Sequence, residues 1–158
     1  MSLEQKLFDG IKDGNERVAG EALSDGANPN AFDEEGRTPL MRAIAKDMKS
    51  LMHRIYERGA DPNLASPDGF TPMHAAATCT VPGIIQLLVM RDTRVVIRDK
   101  EGRTPLDLAQ DGPNPEVCAL IAKYGKDESD WIGRTATQLQ ADTRLMKPLR
   151  FKPAALGR

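Results

Sequence analysis

Two histidines and two cysteines, His53, His74, Cys79 and Cys118, are the residues of this chain best suited by type to nucleophilic, acid–base or metal chemistry. A zinc site needs convergent nitrogen and sulfur ligands, usually supplied as closely spaced pairs. No two of these four residues stand at such a spacing. The chain also lacks a Walker glycine loop, a G-x-S-x-G elbow and an H-E-x-x-H pair. No catalytic, cofactor-binding or metal-ligating residue is assigned, and the chain is expected not to be an enzyme. Cys79 and Cys118 read as small apolar residues inside helices. His53 reads as an exposed residue of an outer helix, and His74 as a structural one.

The segments that carry these residues repeat. Gly36-Arg37-Thr38-Pro39-Leu40, Gly69-Phe70-Thr71-Pro72-Met73 and Gly102-Arg103-Thr104-Pro105-Leu106 are spaced by 33 residues. At the same period Gly26-Ala27-Asn28-Pro29-Asn30 falls over Gly59-Ala60-Asp61-Pro62-Asn63. The third copy, Asp92 to Val96, keeps the length and loses the sequence, and no insertion is needed between Gly14 and Gly125. A fixed period of this length implies a stack of units, none of which can bury its apolar face alone.

Each unit should contain two short helices. Thr38, Thr71 and Thr104 can cap an inner helix, with the following proline in its first turn, where a missing N–H costs little. Pro82 and Pro115 should open outer helices. Apolar residues at helical spacing mark the outer helices: Leu51, Met52, Ile55 and Tyr56, then Ile84, Ile85, Leu87 and Leu88, then Val117, Cys118 and Ile121. In the first unit Leu3, Leu7, Phe8 and Ile11 form the inner helix, and Val18, Ala22 and Leu23 the outer one. Glu4, Lys6, Asp13, Glu16 and Arg17 suit the polar exterior of a terminal unit. Gly59 and Gly125 stand where a helix would end in a left-handed residue, a place that Asp92 takes in the third unit.

On Thr71-Pro72-Met73-His74-Ala75-Ala76, which matches the T-P-L-H-x-A signature, and on the G-A-D-P-N turn at residues 59–63, the chain resembles the ankyrin-repeat family over roughly residues 2–125. The resemblance implies an all-α solenoid of stacked helix–loop–helix units with short β-hairpins, and a concave face that binds other proteins. It also implies that His74 hydrogen-bonds around the hairpin and the neighbouring threonine. The expected organisation is four repeats, 1–30, 31–63, 64–96 and 97–125. A decayed half-repeat or capping helix follows at 126–146, with Trp131 and Leu139 covering the last unit. A basic, extended tail over 147–158 ends the chain.

Composition narrows the partner. With 22 basic and 23 acidic residues the net charge is −1, which gives no general case for nucleic acid or a membrane surface. Nothing approaches 18 consecutive apolar residues, and the first residues show no secretory pattern. Two cysteines suit a reducing compartment, so a cytoplasmic, monomeric protein is expected. Arg144, Lys147, Arg150, Lys152 and Arg158 make the end of the chain basic, and nucleic-acid or acidic-surface binding there is the alternative function. The leading expectation is a non-catalytic module that binds another protein as an adaptor, inhibitor or immunity-type antidote. A host-directed bacterial effector is a further variant.

The partner-binding residues should be those that vary between units on the concave side. At the hairpin tips these are Glu34, Glu35 and Arg37; Pro67, Asp68 and Phe70; Lys100, Glu101 and Arg103. On the inner helices they are Arg42, Lys46, Thr78 and Asp111, beside Ala45, Ala75, Cys79 and Leu108. Phe70 replaces the arginine found at both 37 and 103. It is expected to anchor the partner, so that Phe70→Ala weakens binding by about 1–3 kcal/mol with little loss of stability.

Overall fold

The computed structural model describes residues 1–126. Seven helices follow one another as α1 (Leu3–Lys12), α2 (Glu16–Ser24), α3 (Pro39–Ala45), α4 (Lys49–Glu57), α5 (Pro72–Ala77), α6 (Pro82–Val89) and α7 (Pro105–Gln110). An eighth, α8, occupies residues 115–126. The odd-numbered helices form an inner layer in which α1 packs on α3, α3 on α5 and α5 on α7, while α2 packs on α4 behind them. The result is the all-α stacked solenoid that the period predicts.

Local chemistry starts the inner helices where the sequence places them. The hydroxyl oxygens of Thr38, Thr71 and Thr104 accept the backbone N–H groups of Met41, His74 and Asp107 at 3.3, 3.4 and 3.2 Å. Each following proline lies in the first turn, where its fixed φ suits the helix. Pro82 opens α6 in the same way. The core between the layers contains Leu7, Ile11, Leu40, Ile44, Leu51, Met52, Ile55, Met73, Ile84, Ile85 and Leu88, extended by Val117 and Ile121. Alanines at 19, 22, 43, 76 and 109 fill the narrow places. Burial of this apolar area is the main force holding one unit to the next.

Between units the chain folds back through tight hairpins. Asp33, Ser66 and Asp99 each donate their backbone N–H to the carbonyl four residues on, at 2.9, 2.8 and 3.0 Å. Gly36, Gly69 and Gly102 sit inside these turns at φ of 74°, 77° and 77°. The hairpins are too short for a ladder, and no strand forms among the described residues.

Two asparagines clip neighbouring units together. The Asn30 amide accepts the Asp61 N–H at 2.8 Å and donates to the Gly59 carbonyl at 3.2 Å. One unit later Asn63 accepts the Arg94 N–H at 2.7 Å and donates to the Asp92 carbonyl at 3.1 Å. Val96 holds the next position in register, and its hydrocarbon side chain cannot repeat the pair.

Two local expectations change. Cys79 is not inside a helix, because α5 ends at its C-cap Thr78. Gly125 does not end a helix, since α8 continues to residue 126. Asp92 does take the left-handed conformation, at φ 56°, in place of the glycine that Gly59 supplies at φ 89°. Trp131, Leu139, the capping helix and the basic tail lie outside the described residues.

Candidate functional site

The side expected to be concave is built from the inner helices and the hairpins that precede them. At the first hairpin, Asp33 organises the turn. Its carboxylate accepts the N–H groups of Glu35 and Arg37 at 3.0 and 2.9 Å and takes the Arg42 guanidinium at 2.6 Å. Burial works to raise this carboxyl. The Arg42 guanidinium and the Arg37 and Glu35 N–H groups outweigh it, so Asp33 stays below the ordinary carboxylate range. Arg42 also meets Glu35 at 2.8 Å, so its charge is answered from within the hairpin. Asp99 does the same work in the third hairpin, accepting from Glu101 and Arg103 at 2.9 Å each. Ser66 stands at this register in the second.

The second hairpin is tied to its neighbours on both sides. Arg37 donates to Ser66 Oγ at 3.0 Å and to both carboxylate oxygens of Asp68 at 3.1 and 3.2 Å. Its guanidinium also lies 4.1 Å from the centre of the Phe70 ring. The other contact of that ring is His74, with centroids 5.4 Å apart. On the far side the Lys100 N–H donates to the Asp68 carbonyl at 2.9 Å.

His74 joins this assembly from α5. Its Nδ1 accepts the Thr71 N–H at 3.2 Å and faces the Thr71 hydroxyl at 2.8 Å. Its Nε2 donates to the Arg103 carbonyl at 3.0 Å, in the next unit. The imidazole is fully buried, and burial holds its pKa below the ordinary value, with the Arg103 carbonyl opposing. It is therefore a neutral structural bridge. Cys79 is no nucleophile either: burial pushes its thiol up to about 11, and Sγ donates to the Ile44 and Ala75 carbonyls at 3.3 Å. His53 is exposed on α4. No group of three or more His, Cys, Asp or Glu is placed to hold a metal ion among the described residues.

The thirteen expected contact residues thus divide. Glu34, Glu35, Arg42 and Lys46 come together in one groove of about 630 Å³ between α1, the first hairpin and α3. Arg37, Pro67, Asp68 and Phe70 form the hairpin-to-hairpin tie. Lys100, Glu101 and Arg103 stay exposed on the third hairpin, where Arg103 pairs with Asp99 and Glu101 at 3.1 and 2.9 Å. Thr78 and Asp111 are exposed C-caps of α5 and α7.

Phe70, expected to anchor the partner, is a half-buried ring that lies against Arg37 and His74 of its own chain. Phe70→Ala should therefore cost about 1 kcal/mol of folding stability through the lost ring stack and cation–π contact. Urea denaturation of the variant checks this, and an unchanged midpoint would show that the stack contributes nothing.

The accessible aromatic surface lies one unit earlier. Phe32 is 46% exposed, and with the half-buried Phe8 it lines the groove beside Ala45. Phe8 is a residue expected in the inner helix of the first unit, whereas Phe32 is not among the thirteen expected contact residues. The available signal was the one used for Phe70: Phe32 departs from Ala65 and Arg98 at the same register.

A family model described as ankyrin repeats, in three copies, matches residues 45–130. The chain has no match among curated proteins.

Proposed function

Since the chain belongs to the ankyrin-repeat family, whose repeats are generally protein–protein interaction modules, we propose that it acts by holding a partner protein against its concave face. The observation that carries this reading is the groove between α1 and α3, where exposed charges of both signs surround accessible aromatic carbon. That composition, an apolar centre with a polar rim, is how protein interfaces gain both affinity and specificity. The repeat units of this reading are 1–30, 31–63, 64–96 and 97–125. The family is typically non-catalytic, and the mode of action follows from occupancy: an adaptor, inhibitor or antidote works by covering a surface of its partner. No helix among the described residues is long and apolar enough to cross a membrane.

The test is affinity purification of the tagged full chain from its native cell, with two variants alongside. A partner recovered by the unaltered chain and by His53→Ala, on the outer face, should be lost with Glu34→Lys/Lys46→Glu in the groove. Loss with His53→Ala and retention with the groove variant would move the site to the outer helices and end the proposal.

A further inference from the structure

The groove is electrically graded along its length. Glu4 lies in the first turn of α1, where it accepts the Asn28 N–H at 3.1 Å, and Glu34 stands on the hairpin that leads into α3. At the other end are Lys12, the last residue of α1, and Lys46, the C-cap of α3. Both lysines are exposed, and neither forms an ion pair among the described residues. Glu34 is likewise exposed and makes no ion pair among them. Arg42, between the two ends, is already neutralised by Asp33 and Glu35. Phe8, Phe32 and Ala45 occupy the middle, with Asp9 beside Phe8. Lysines at helix C-termini also favour the helices themselves through the macrodipole, but that interaction leaves their ammonium donors open to a ligand.

We propose that the groove receives an extended segment of the partner protein that carries a large apolar side chain flanked by one acidic and one basic residue. The acidic residue faces Lys12 and Lys46, the apolar one enters between Phe8 and Phe32, and the basic one faces Glu4 and Glu34. From Glu4 to Lys12 the helix rises about 12 Å at 1.5 Å per residue. An extended chain advances about 3.3 Å per residue, so the two charged positions stand about four residues apart with the apolar one between them. This inference rests on the concave-face reading given above.

A random-peptide display selection against the full chain tests it, because the selected peptides report the groove's preference without a known partner. Peptides bearing the acidic–apolar–basic pattern should dominate. Lys12→Glu/Lys46→Glu should weaken them by about tenfold, the loss expected from two surface ion pairs replaced by repulsion. Phe32→Ala should weaken them by about tenfold or more, and His53→Glu, on the exposed outer side of α4, should leave them unchanged. Circular dichroism of each variant verifies the fold, which these exposed positions should not disturb. Peptides selected without the charge pattern, or insensitive to the lysine reversal, would overturn this inference and leave the concave-face module standing. Recovery of no peptide above an unrelated control protein would count against both.

Discussion

Replacing His74 by alanine should lower the folding stability by about 3–5 kcal/mol, enough to separate the third unit from the fourth. The substitution opens a cavity at a fully buried position. It also strands the Thr71 N–H and the Arg103 carbonyl, which the imidazole joins across two units. A buried backbone group left without a partner costs more than a typical hydrogen bond contributes. The effect should therefore exceed that of an ordinary large-to-small exchange on the same helix. Equilibrium denaturation monitored by circular dichroism measures it, and a loss under about 1 kcal/mol would show that the bridge is dispensable.

The same residue makes stability depend on pH. The folded imidazole has its pKa held below its ordinary value of 6.5, chiefly by burial. The unfolded chain takes up the proton first as the pH falls, so proton binding favours unfolding. The His74 contribution is complete above 6.5 and is lost as the pH drops through the lowered folded value. Denaturation midpoints should fall between about pH 7 and 5 in the unaltered chain and change much less in His74→Gln. Equal slopes in the two proteins would place the titrating group elsewhere.

Gly69→Ala should cost about 2–3 kcal/mol, while Gly102→Ala should cost about 1 kcal/mol. Both glycines have φ 77°, a left-handed conformation that penalises any Cβ. They differ in what that Cβ would meet. At Gly69 it would lie 3.0 Å from Asp99 Cα and from the Lys100 nitrogen, which are backbone atoms of the next hairpin. At Gly102 it would meet nothing within 4 Å. The difference between the variants isolates the contact between hairpins from the conformational penalty common to both. Equal losses would mean that the third hairpin yields without cost.

The solenoid was legible because its determinants are local and periodic. A threonine that caps, a proline that begins a helix and a glycine that turns left each act through their own backbone, so the 33-residue spacing of Thr38, Thr71 and Thr104 marks the units directly. The role of His74 was legible through the family signature that contains it. Two boundaries differed from those expected: α5 ends at its C-cap Thr78, before Cys79, and Gly125 lies within α8.

The candidate site was legible only as a face. Register identifies the concave positions, and Glu34, Glu35, Arg42 and Lys46 do share one groove. Whether a residue on that face is available depends on contacts across units, which register does not contain. Phe70 and Phe32 both break the internal pattern with an aromatic ring. The tertiary structure covers the first with Arg37, 33 residues before the arginine that Phe70 displaces, and leaves the second 46% exposed. The sequence by itself determined the repeat, its helix starts and the face that varies, because each follows from short-range backbone chemistry repeated at a fixed period. Only the stacking of the hairpins decided which of the varying residues pair internally and which stay exposed.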